Sequence, residues 1–283
     1  MTALLGSADV AEAFSSPSAD LLGHGKFGET WKVIVTSKGG VAETVAVKIL
    51  HPDEFDLRLV KRETEGLRRF SSPSIVKLLE TKDLEIAGTK RTVLVCEYVD
   101  GGNVTANVVH AGHPTQDQIL AFAYGLLGAV SQLHEAEMVH RDIKLDNIIL
   151  RGGDWADPVL IDFGLSKSLT EESYTNYPSQ VGTYSYMSPE QLNGDRAKKA
   201  SDLWACGIIL YKLVTGQHPY FQNVAGLLAE DLADLASGPP PALPDGTYPL
   251  IEELVERLLN QAPHLRGSAR RATKDLRKVV EDD

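Results

Sequence analysis

The first hundred residues carry the pattern of apolar and β-branched positions that is typical of β-strands. TWKVIVTS and ETVAVKIL are two such runs, and Lys38-Gly39-Gly40 lies between them, which predicts a β-hairpin. IVKLLETKDLEIAG and KRTVLVCEYV predict two further strands. Between these pairs, apolar residues over 55–70 recur at helical spacing, so we expect one amphipathic helix there.

Beyond Asp100-Gly101-Gly102 the pattern changes to long helical periods. Helices are predicted at 115–136, 201–216 and 248–262, followed by a basic terminal helix that ends at Val280. Short apolar strands are expected at 138–140, 147–150 and 158–162.

These patterns divide the chain into three parts. Residues 1–19 are small and polar and are predicted to form a weakly ordered leader. A small lobe rich in β-strands follows over 20–99, and a larger, mainly helical lobe covers 100–283. The fold class is therefore α+β, with a glycine-rich boundary between the two lobes.

Composition and charge narrow the class of protein. The 283 residues carry 28 Lys and Arg against 39 Asp and Glu, a net charge of −11. A surface of that average charge repels phosphate groups, which argues against a general binder of nucleic acids or anionic membranes. Cys96 and Cys206 are too few for a disulfide framework. Because no apolar run reaches the ~18–20 residues of a membrane span, we expect a cytoplasmic protein.

Three glycines, Gly23, Gly25 and Gly28, lie between strand-like runs in LLGHGKFGETWKV. Alone, this spacing is weak evidence for phosphate binding. In a dinucleotide-binding fingerprint a helix would begin at the third glycine, whereas a strand begins here. The pattern instead fits a glycine hairpin, which lets backbone N–H groups approach phosphate oxygens.

Lys48 lies in the apolar strand VAVKIL, twenty residues after Gly28. An unpaired ammonium group is costly to bury at such a position. This lysine therefore either faces solvent or pairs with a carboxylate of the following helix, for which Glu63 and Glu65 are the candidates.

Charged and amide residues are concentrated in HRDIKLDNIIL at 140–150 and in LIDFGLS at 160–166. These segments resemble the catalytic-loop and magnesium-loop signatures of the eukaryotic-type (Hanks-type) serine/threonine protein kinase family. VAVKIL, SPE at 188–190, SDLWACG and PHLRGSA resemble further motifs of the family, in family order from about Leu21 to Val280. The resemblance implies a bilobal protein-kinase-like fold, in which the small lobe is an antiparallel sheet with one regulatory helix.

The resemblance also implies the activity. The chain would transfer the γ-phosphoryl group of ATP, bound with Mg²⁺ or with Mn²⁺ in its place, to serine or threonine hydroxyls of proteins. Lys144, together with Thr183, resembles the serine/threonine branch of the family rather than the tyrosine branch. The residues implied in catalysis are Asp142, Lys144, Asn147 and Lys48.

Each of these residues takes a role from the family motif that it matches. Asp142 would accept or orient the proton of the substrate hydroxyl, and Lys144 would contact the transferred phosphoryl group. Asn147 and Asp162 would bind the metal ion through oxygen. The spacing of the family pattern selects Glu63 over Glu65 as the partner of Lys48.

The nucleotide pocket can be carried over in the same way. Thr30 stands where the family usually has valine, and Cys96 guards the back of the adenine pocket. Glu97 and Val99 would offer backbone groups to adenine. The implied nucleotide-binding residues are Gly23, Gly25, Gly28, Thr30, Ala46, Lys48, Glu63, Cys96, Glu97, Val99, Ile149 and Asp162.

Two further sets match structural features of the family. Glu190 and Arg266 correspond to an ion pair that supports the helical lobe. An apolar stack that links the lobes, anchored by Asp202, would consist of Leu67, Leu78, His140 and Phe163.

Residues 165–188 correspond to the activation loop. Arg141, directly before Asp142, would be unfavourable without an anion, and a phosphate on the loop would supply one. We therefore expect regulation by autophosphorylation, with the enzyme acting on itself in trans. The alternative is that the loop hydroxyls are merely solvated. The candidate phosphosites are Ser179, Thr175 and Ser173.

Two rival classes share parts of this pattern. A pseudokinase scaffold would bind nucleotide or partners without transfer, but the chain keeps Lys48, Asp142, Asn147 and Asp162. A kinase-like enzyme of small molecules usually lacks the full glycine-rich loop and the peptide-binding segment, and the chain has both. The sequence therefore favours a protein kinase.

Overall fold

The computed structural model describes residues 4–25, 28–36, 39–52, 72–162, 184–221 and 229–280. The chain divides into two compact units, Met1–Val99 and Asp100–Asp283. This division falls at the glycine-rich segment where the sequence places the boundary. None of the described helices is long and apolar enough to cross a membrane.

The first unit is built on a five-stranded antiparallel sheet. Its strands are β1 (Ala19–Gly25), β2 (Gly28–Thr36), β3 (Ala42–Leu50), β4 (Leu78–Ile86) and β5 (Thr89–Glu97). Their order in space is β1-β2-β3-β5-β4. The predicted hairpin and the two further strands are thereby confirmed, whereas the helix predicted over 55–70 lies outside the described residues.

A short helix before the first strand covers one face of this sheet. This helix, α1 (Ser7–Ala13), buries Val10 completely, and Leu5 and Phe14 on either side of it are buried as well. All three join a cluster with apolar residues of the strands, Trp31 among them. Burying side chains of this size contributes about 1.5–3 kcal/mol each. That is enough to hold a helix too short to be stable alone.

The prediction of a weakly ordered leader over 1–19 is therefore wrong for its described part, residues 4–19. Small and polar residues outnumber the apolar ones in this segment and conceal three well-spaced apolar residues, Leu5, Val10 and Phe14. Their spacing brings them to the sheet only once the chain turns back at residues 14–18, which local composition does not indicate.

The second unit is mainly helical. Its helices are α2 (Val104–Ala111), α3 (Gln116–Glu135), α4 (Pro189–Leu192), α5 (Lys199–Thr215), α6 (Ala229–Leu235), α7 (Pro249–Leu258) and α8 (Ala269–Val280). A small antiparallel sheet pairs β6 (Ile148–Leu150) with β7 (Pro158–Leu160). The long helices and both of these strands were predicted from the sequence.

Two long helices form the centre of this unit. α3 begins at a capping box in which the Thr115 side chain accepts from the Gln118 backbone and the Gln118 side chain accepts from the Thr115 backbone. α5 is buried along most of its length. α3 packs against α5 and α8, and α5 packs against α7. α5 therefore offers side chains to several segments at once.

The strand predicted at 138–140 does not form, and this segment has no regular secondary structure. The backbone N–H groups of His140 and Arg141 donate to the carboxylate of Asp202 on α5 instead of to a neighbouring strand. The Asp202 side chain thus accepts the hydrogen bonds that a partner strand would otherwise accept.

Candidate active site

The register of the first sheet places four of the predicted nucleotide-binding residues on one face. Thr30 lies opposite Lys48 across β2 and β3, and Ala46 lies opposite Cys96 across β3 and β5. Because side chains alternate along a strand, all four point away from the face that α1 covers. Glu63, the predicted partner of Lys48, lies outside the described residues.

The three glycines lie on the hairpin of β1 and β2. A Cβ at Gly28 would lie 2.2 Å from the carbonyl oxygen of Ile49, so only glycine allows β2 to approach β3 this closely. Among the described residues, no atom other than those of the adjacent positions lies within 4 Å of a Cβ built at Gly23 or Gly25. The backbone at these two positions can therefore be reached by the oxygens of a phosphate group.

The segment that ends this unit contains Glu97 and Val99. The backbone N–H of Glu97 donates to the carbonyl oxygen of Lys77 at 2.9 Å. The Glu97 carboxylate accepts from the backbone N–H of Lys77, also at 2.9 Å. The backbone N–H of Glu97, one of the groups expected to face adenine, is thus already engaged within the first unit.

In the second unit, a buried carboxylate holds the segment that contains Asp142. The side chain of Asp202 is 1% exposed. Its Oδ2 accepts from the backbone N–H of His140 and lies 2.9 Å from Nε2 of His134, and its Oδ1 accepts from the backbone N–H of Arg141. These partners compensate a carboxylate that would otherwise be costly to bury.

His140 extends this network to the strand beside it. Its Nε2 donates to the carbonyl oxygen of Ile161 at 3.1 Å, and its Nδ1 accepts from the backbone N–H of Asp142 at 3.3 Å. Burial lowers the pKa of this histidine, which outweighs the opposing effect of Asp202. The ring is therefore neutral, and its single proton is on Nε2.

The carboxylate of Asp142 lies in a cluster with Lys144 and Asn147. Lys144 Nζ is 3.1 Å from Oδ2 of Asp142. Nδ2 of Asn147 donates to the same oxygen at 3.0 Å and to the backbone carbonyl of Asp142 at 2.8 Å. Since Nδ2 makes both bonds, the amide oxygen of Asn147 is directed away from Asp142.

Asp162 is brought next to this cluster by the backbone. The N–H of Ile161 donates to the carbonyl oxygen of Asn147 at 3.0 Å, so Asp162 follows directly on a residue paired with Asn147. Asp162 has a φ of +61°, a conformation that aspartate tolerates better than most residues. An amide oxygen and a carboxylate are hard donors, and this pair fits a divalent cation that also binds phosphate oxygens.

Ile149, the last predicted nucleotide-binding residue, forms an isolated bridge with Asn103. The backbone N–H of Leu150 also donates to the carbonyl oxygen of Gly102 at 3.0 Å. A Cβ at Gly101 would lie 1.9 Å from the carbonyl oxygen of Leu150. The glycines at 101 and 102 therefore allow the backbone at the start of the second unit to lie directly against β6.

The predicted ion pair between Glu190 and Arg266 is confirmed. Nη1 of Arg266 lies 2.7 Å from Oε1 and Nη2 lies 2.9 Å from Oε2, so the contact is bidentate. Arg266 is fully buried and also donates to the carbonyl oxygens of Asn260 and Ala200. The guanidinium lies 4.9 Å from the ring of Trp204. This pair fixes the start of α4 against the helical core.

His134 on α3 and Glu29 on β2 are buried polar residues that the sequence does not single out. The histidine contacts Asp202, 68 residues away, and Glu29 accepts from Leu5, 24 residues away, so no local motif indicates either contact. Several predicted residues lie outside the described part of the chain and carry no structural statement: Leu67, Phe163, Ser173, Thr175, Ser179 and Thr183.

These features define the class of protein kinase catalytic domains: a five-stranded antiparallel sheet, followed by a mainly helical unit that carries the segment with Asp142, Lys144 and Asn147. The comparisons with known proteins agree. The family model for the protein kinase domain matches residues 18–276. The chain therefore belongs to the protein kinase family, as a catalytic domain of the Hanks type.

Three relatives illustrate the extent of the similarity. The chain is 28% identical over 263 residues to the serine/threonine-protein kinase AtPK2/AtPK19 of Arabidopsis thaliana, covering 91% of this chain and 52% of that protein. It is 31% identical over 204 residues to AtPK1/AtPK6 of the same plant, covering 71% and 42%. It is 29% identical over 248 residues to the serine/threonine-protein kinase PknD of Mycobacterium tuberculosis, covering 86% and 36%. The chain thus spans about half, or less, of these curated relatives.

The ion pair of Glu190 and Arg266 predicts a pH dependence of stability. Burial alone would raise the pKa of Glu190, but the hydrogen bonds and charge of Arg266 outweigh it and lower the pKa below its ordinary value of 4.5. The pair therefore stabilises the fold above about pH 4.5, and this contribution is lost as the pH falls through the lower pKa of the folded state.

Glu190→Gln should therefore lower the free energy of unfolding by about 3 kcal/mol at pH 7, because it leaves Arg266 buried without its counter-ion. The loss should shrink as the pH falls below 4.5. Urea unfolding at pH 7 and pH 4 measures both effects, with the exposed Asp195→Asn as the control. An equal loss at the two pH values would contradict this account of the pair.

Proposed function

We propose that this domain transfers the γ-phosphoryl group of ATP to serine and threonine hydroxyls of proteins, with Mg²⁺ as the preferred cation and Mn²⁺ as a substitute. The observation that carries the proposal is the cluster of Asp142, Lys144 and Asn147, held in place through the Asp202 carboxylate. The family to which the chain belongs and the names of its relatives support the same activity.

Asp142 is proposed to orient the substrate hydroxyl and to accept its proton during transfer. Lys144 already neutralises one oxygen of this carboxylate, and its ammonium group is close enough to meet the incoming phosphoryl group as well. The Asn147 side chain orients the Asp142 carboxylate through its amide nitrogen. Three side chains therefore position one another before any substrate binds, which lowers the cost of orientation in the transition state.

Asn147 and Asp162 are proposed to hold the cation through their side-chain oxygens. When bound, the cation supplies positive charge that neutralises the phosphate oxygens during transfer. Asn147 can bind it because its amide oxygen is directed away from Asp142. The left-handed backbone at Asp162 is proposed to aim that carboxylate at the same place.

Lys48 and the glycine hairpin are proposed to bind the nucleotide phosphates. Lys48 lies opposite Thr30 on the sheet face turned away from α1, and Thr30 in turn lies opposite Gly23 of the glycine hairpin. Ala46 and Cys96 share this face and are proposed to contact adenine, as are the backbone groups of Glu97 and Val99. The contact of Ile149 with the nucleotide stays a prediction from the family resemblance. A purely binding pseudokinase is disfavoured, because the hydrogen-bonded cluster around Asp142 serves no need of nucleotide binding.

Asp142→Asn should reduce phosphoryl transfer to a generic protein acceptor by at least ~100-fold, because the amide cannot accept the proton. Labelled ATP with Mg²⁺ provides the measurement, and Mn²⁺ replaces Mg²⁺ in a parallel assay. The matched control is Asp146→Asn, an exposed carboxylate of the same loop, which should keep its activity. Transfer by the wild-type protein that survives Asp142→Asn would contradict the assigned role.

We further propose that phosphorylation of the activation loop, residues 165–188, regulates this domain. The support is Arg141, which precedes Asp142 with a φ of +70° and is fixed by its backbone bond to Asp202. An arginine side chain held beside the catalytic residue is suited to bind a phosphate on the loop. The domain is proposed to phosphorylate itself in trans, and its cytoplasmic location stays a prediction.

Autophosphorylation can be tested by mixing the wild-type protein with a tagged Asp142→Asn chain that serves only as substrate. Mass spectrometry should find phosphate on the tagged chain within 165–188, first at Ser179 and otherwise at Thr175 or Ser173. Ser179→Ala should then slow transfer to other proteins. No phosphate on the tagged chain would exclude reaction in trans, and phosphate only outside this range would refute regulation through the loop.

A further inference from the structure

The first unit contains a buried carboxylate that the proposed reaction does not use. Glu29 lies on β2 between Gly28 and Thr30, and it is 1% exposed. Its two oxygens accept from the backbone N–H of Leu5 at 3.1 and 3.2 Å, and Oε2 also accepts from Nε1 of Trp31 at 3.0 Å. All of these bonds come from uncharged N–H groups.

Leu5 belongs to a segment, residues 4–16, that we call the N-terminal strap. The strap includes α1 and is tied to β2 at both ends of the strand. Leu5 binds Glu29 near the start of β2, and Oγ of Ser16 accepts from the backbone N–H of Ile34 at 3.0 Å near its end. Val10 and Phe14 join the apolar cluster on the same face of the sheet. The strap is therefore tied to β2 at two points, while α1 itself packs against β1 and β4.

Glu29 is a direct neighbour of Thr30, so a shift of the backbone at residue 29 would also displace Thr30 on the nucleotide-binding face. Its neighbour Gly28 is pressed against the carbonyl oxygen of Ile49, so β2 has little freedom to shift there. Its other neighbour, Thr30, lies opposite Lys48. The Glu29 side chain points to the strap, while Thr30 points to the opposite face.

We propose that Glu29 is a positioning residue, through which the N-terminal strap fixes the root of the glycine hairpin for ATP binding. This inference rests on the proposed function. A carboxylate serves this purpose better than an apolar residue, because directed hydrogen bonds from two donors, the Leu5 backbone and the Trp31 indole, define the position of the backbone at residue 29. Apolar packing alone tolerates sliding. Burial of the carboxylate is tolerated only while the strap and Trp31 supply their donors.

The test is the variant Glu29→Gln in the full chain. Glutamine keeps the volume and one acceptor oxygen, but its amide nitrogen cannot accept. Even with that oxygen in the place of Oε2, where both donors still reach it, the amide nitrogen replaces Oε1 and turns its own N–H groups toward the Leu5 N–H. We expect the KM for ATP and the dissociation constant of an ATP analogue to rise roughly tenfold, the scale of one lost hydrogen bond to a charged group. The value of kcat should stay within about twofold, because the Asp142 cluster belongs to the other unit.

Two control variants separate positioning from loss of stability. Ser16→Ala removes the strap's bond at the far end of β2. Ile86→Val loosens the same apolar cluster on the edge strand β4, away from Glu29. Both should leave the KM for ATP unchanged, although Ile86→Val lowers the Tm.

The outcomes are distinct. An unchanged KM for ATP and an unchanged dissociation constant in Glu29→Gln would overturn the inference. It would also be overturned if Ile86→Val lowered the Tm as much as Glu29→Gln does and raised the KM for ATP equally. If the wild-type protein transfers no phosphate, the proposed function fails, and the dissociation constants alone then decide the role of Glu29.

Discussion

The catalytic segment of this domain depends on one buried carboxylate, that of Asp202. Two of its hydrogen bonds fix the backbone at His140 and Arg141, and this support maintains the positive φ of Arg141. A non-glycine residue in that conformation costs of order 1–3 kcal/mol and persists only when its surroundings impose it. Asp142 follows directly, so its position is set from the centre of the helical unit. α5, which carries Asp202, is buried along most of its length, so its packing holds this carboxylate in place.

The sheet of the first unit separates two tasks by the alternation of side chains. One face carries Thr30, Ala46, Lys48 and Cys96 and is proposed to bind the nucleotide. The other face carries the apolar cluster that the N-terminal strap covers, together with the carboxylate of Glu29. Since neighbouring residues of β2 point to opposite faces, support on one side can determine geometry on the other. The same strands therefore supply the buried apolar face that stabilises the sheet and the opposite face that is proposed to bind the nucleotide.

Much of this architecture could be predicted from the sequence, because the signals are local. Alternating β-branched residues gave the strands, helical periods gave α3, α5, α7 and α8, and the glycines marked the boundary between the units. The residues of the Asp142 cluster follow from short motifs. Three features could not be predicted: that the N-terminal strap is well ordered, that no strand forms at 138–140, and that His134 and Glu29 have structural roles. Each of these depends on a hydrogen bond or a packing contact between segments far apart in the chain, for which one sequence contains no local pattern.

The role of Asp202 can be measured most directly by amide hydrogen exchange in the wild-type protein and in Asp202→Asn. Both carboxylate oxygens are engaged, so the asparagine must leave at least one donor without its acceptor. The account predicts strongly protected amides at His140 and Arg141 in the wild type. In the variant we expect protection to be lost and phosphoryl transfer to fall by about 100-fold or more, the effect of a small misplacement of a catalytic group. Persistent protection of both amides in the variant, or full activity after protection is lost, would contradict the claim that this carboxylate positions the catalytic segment.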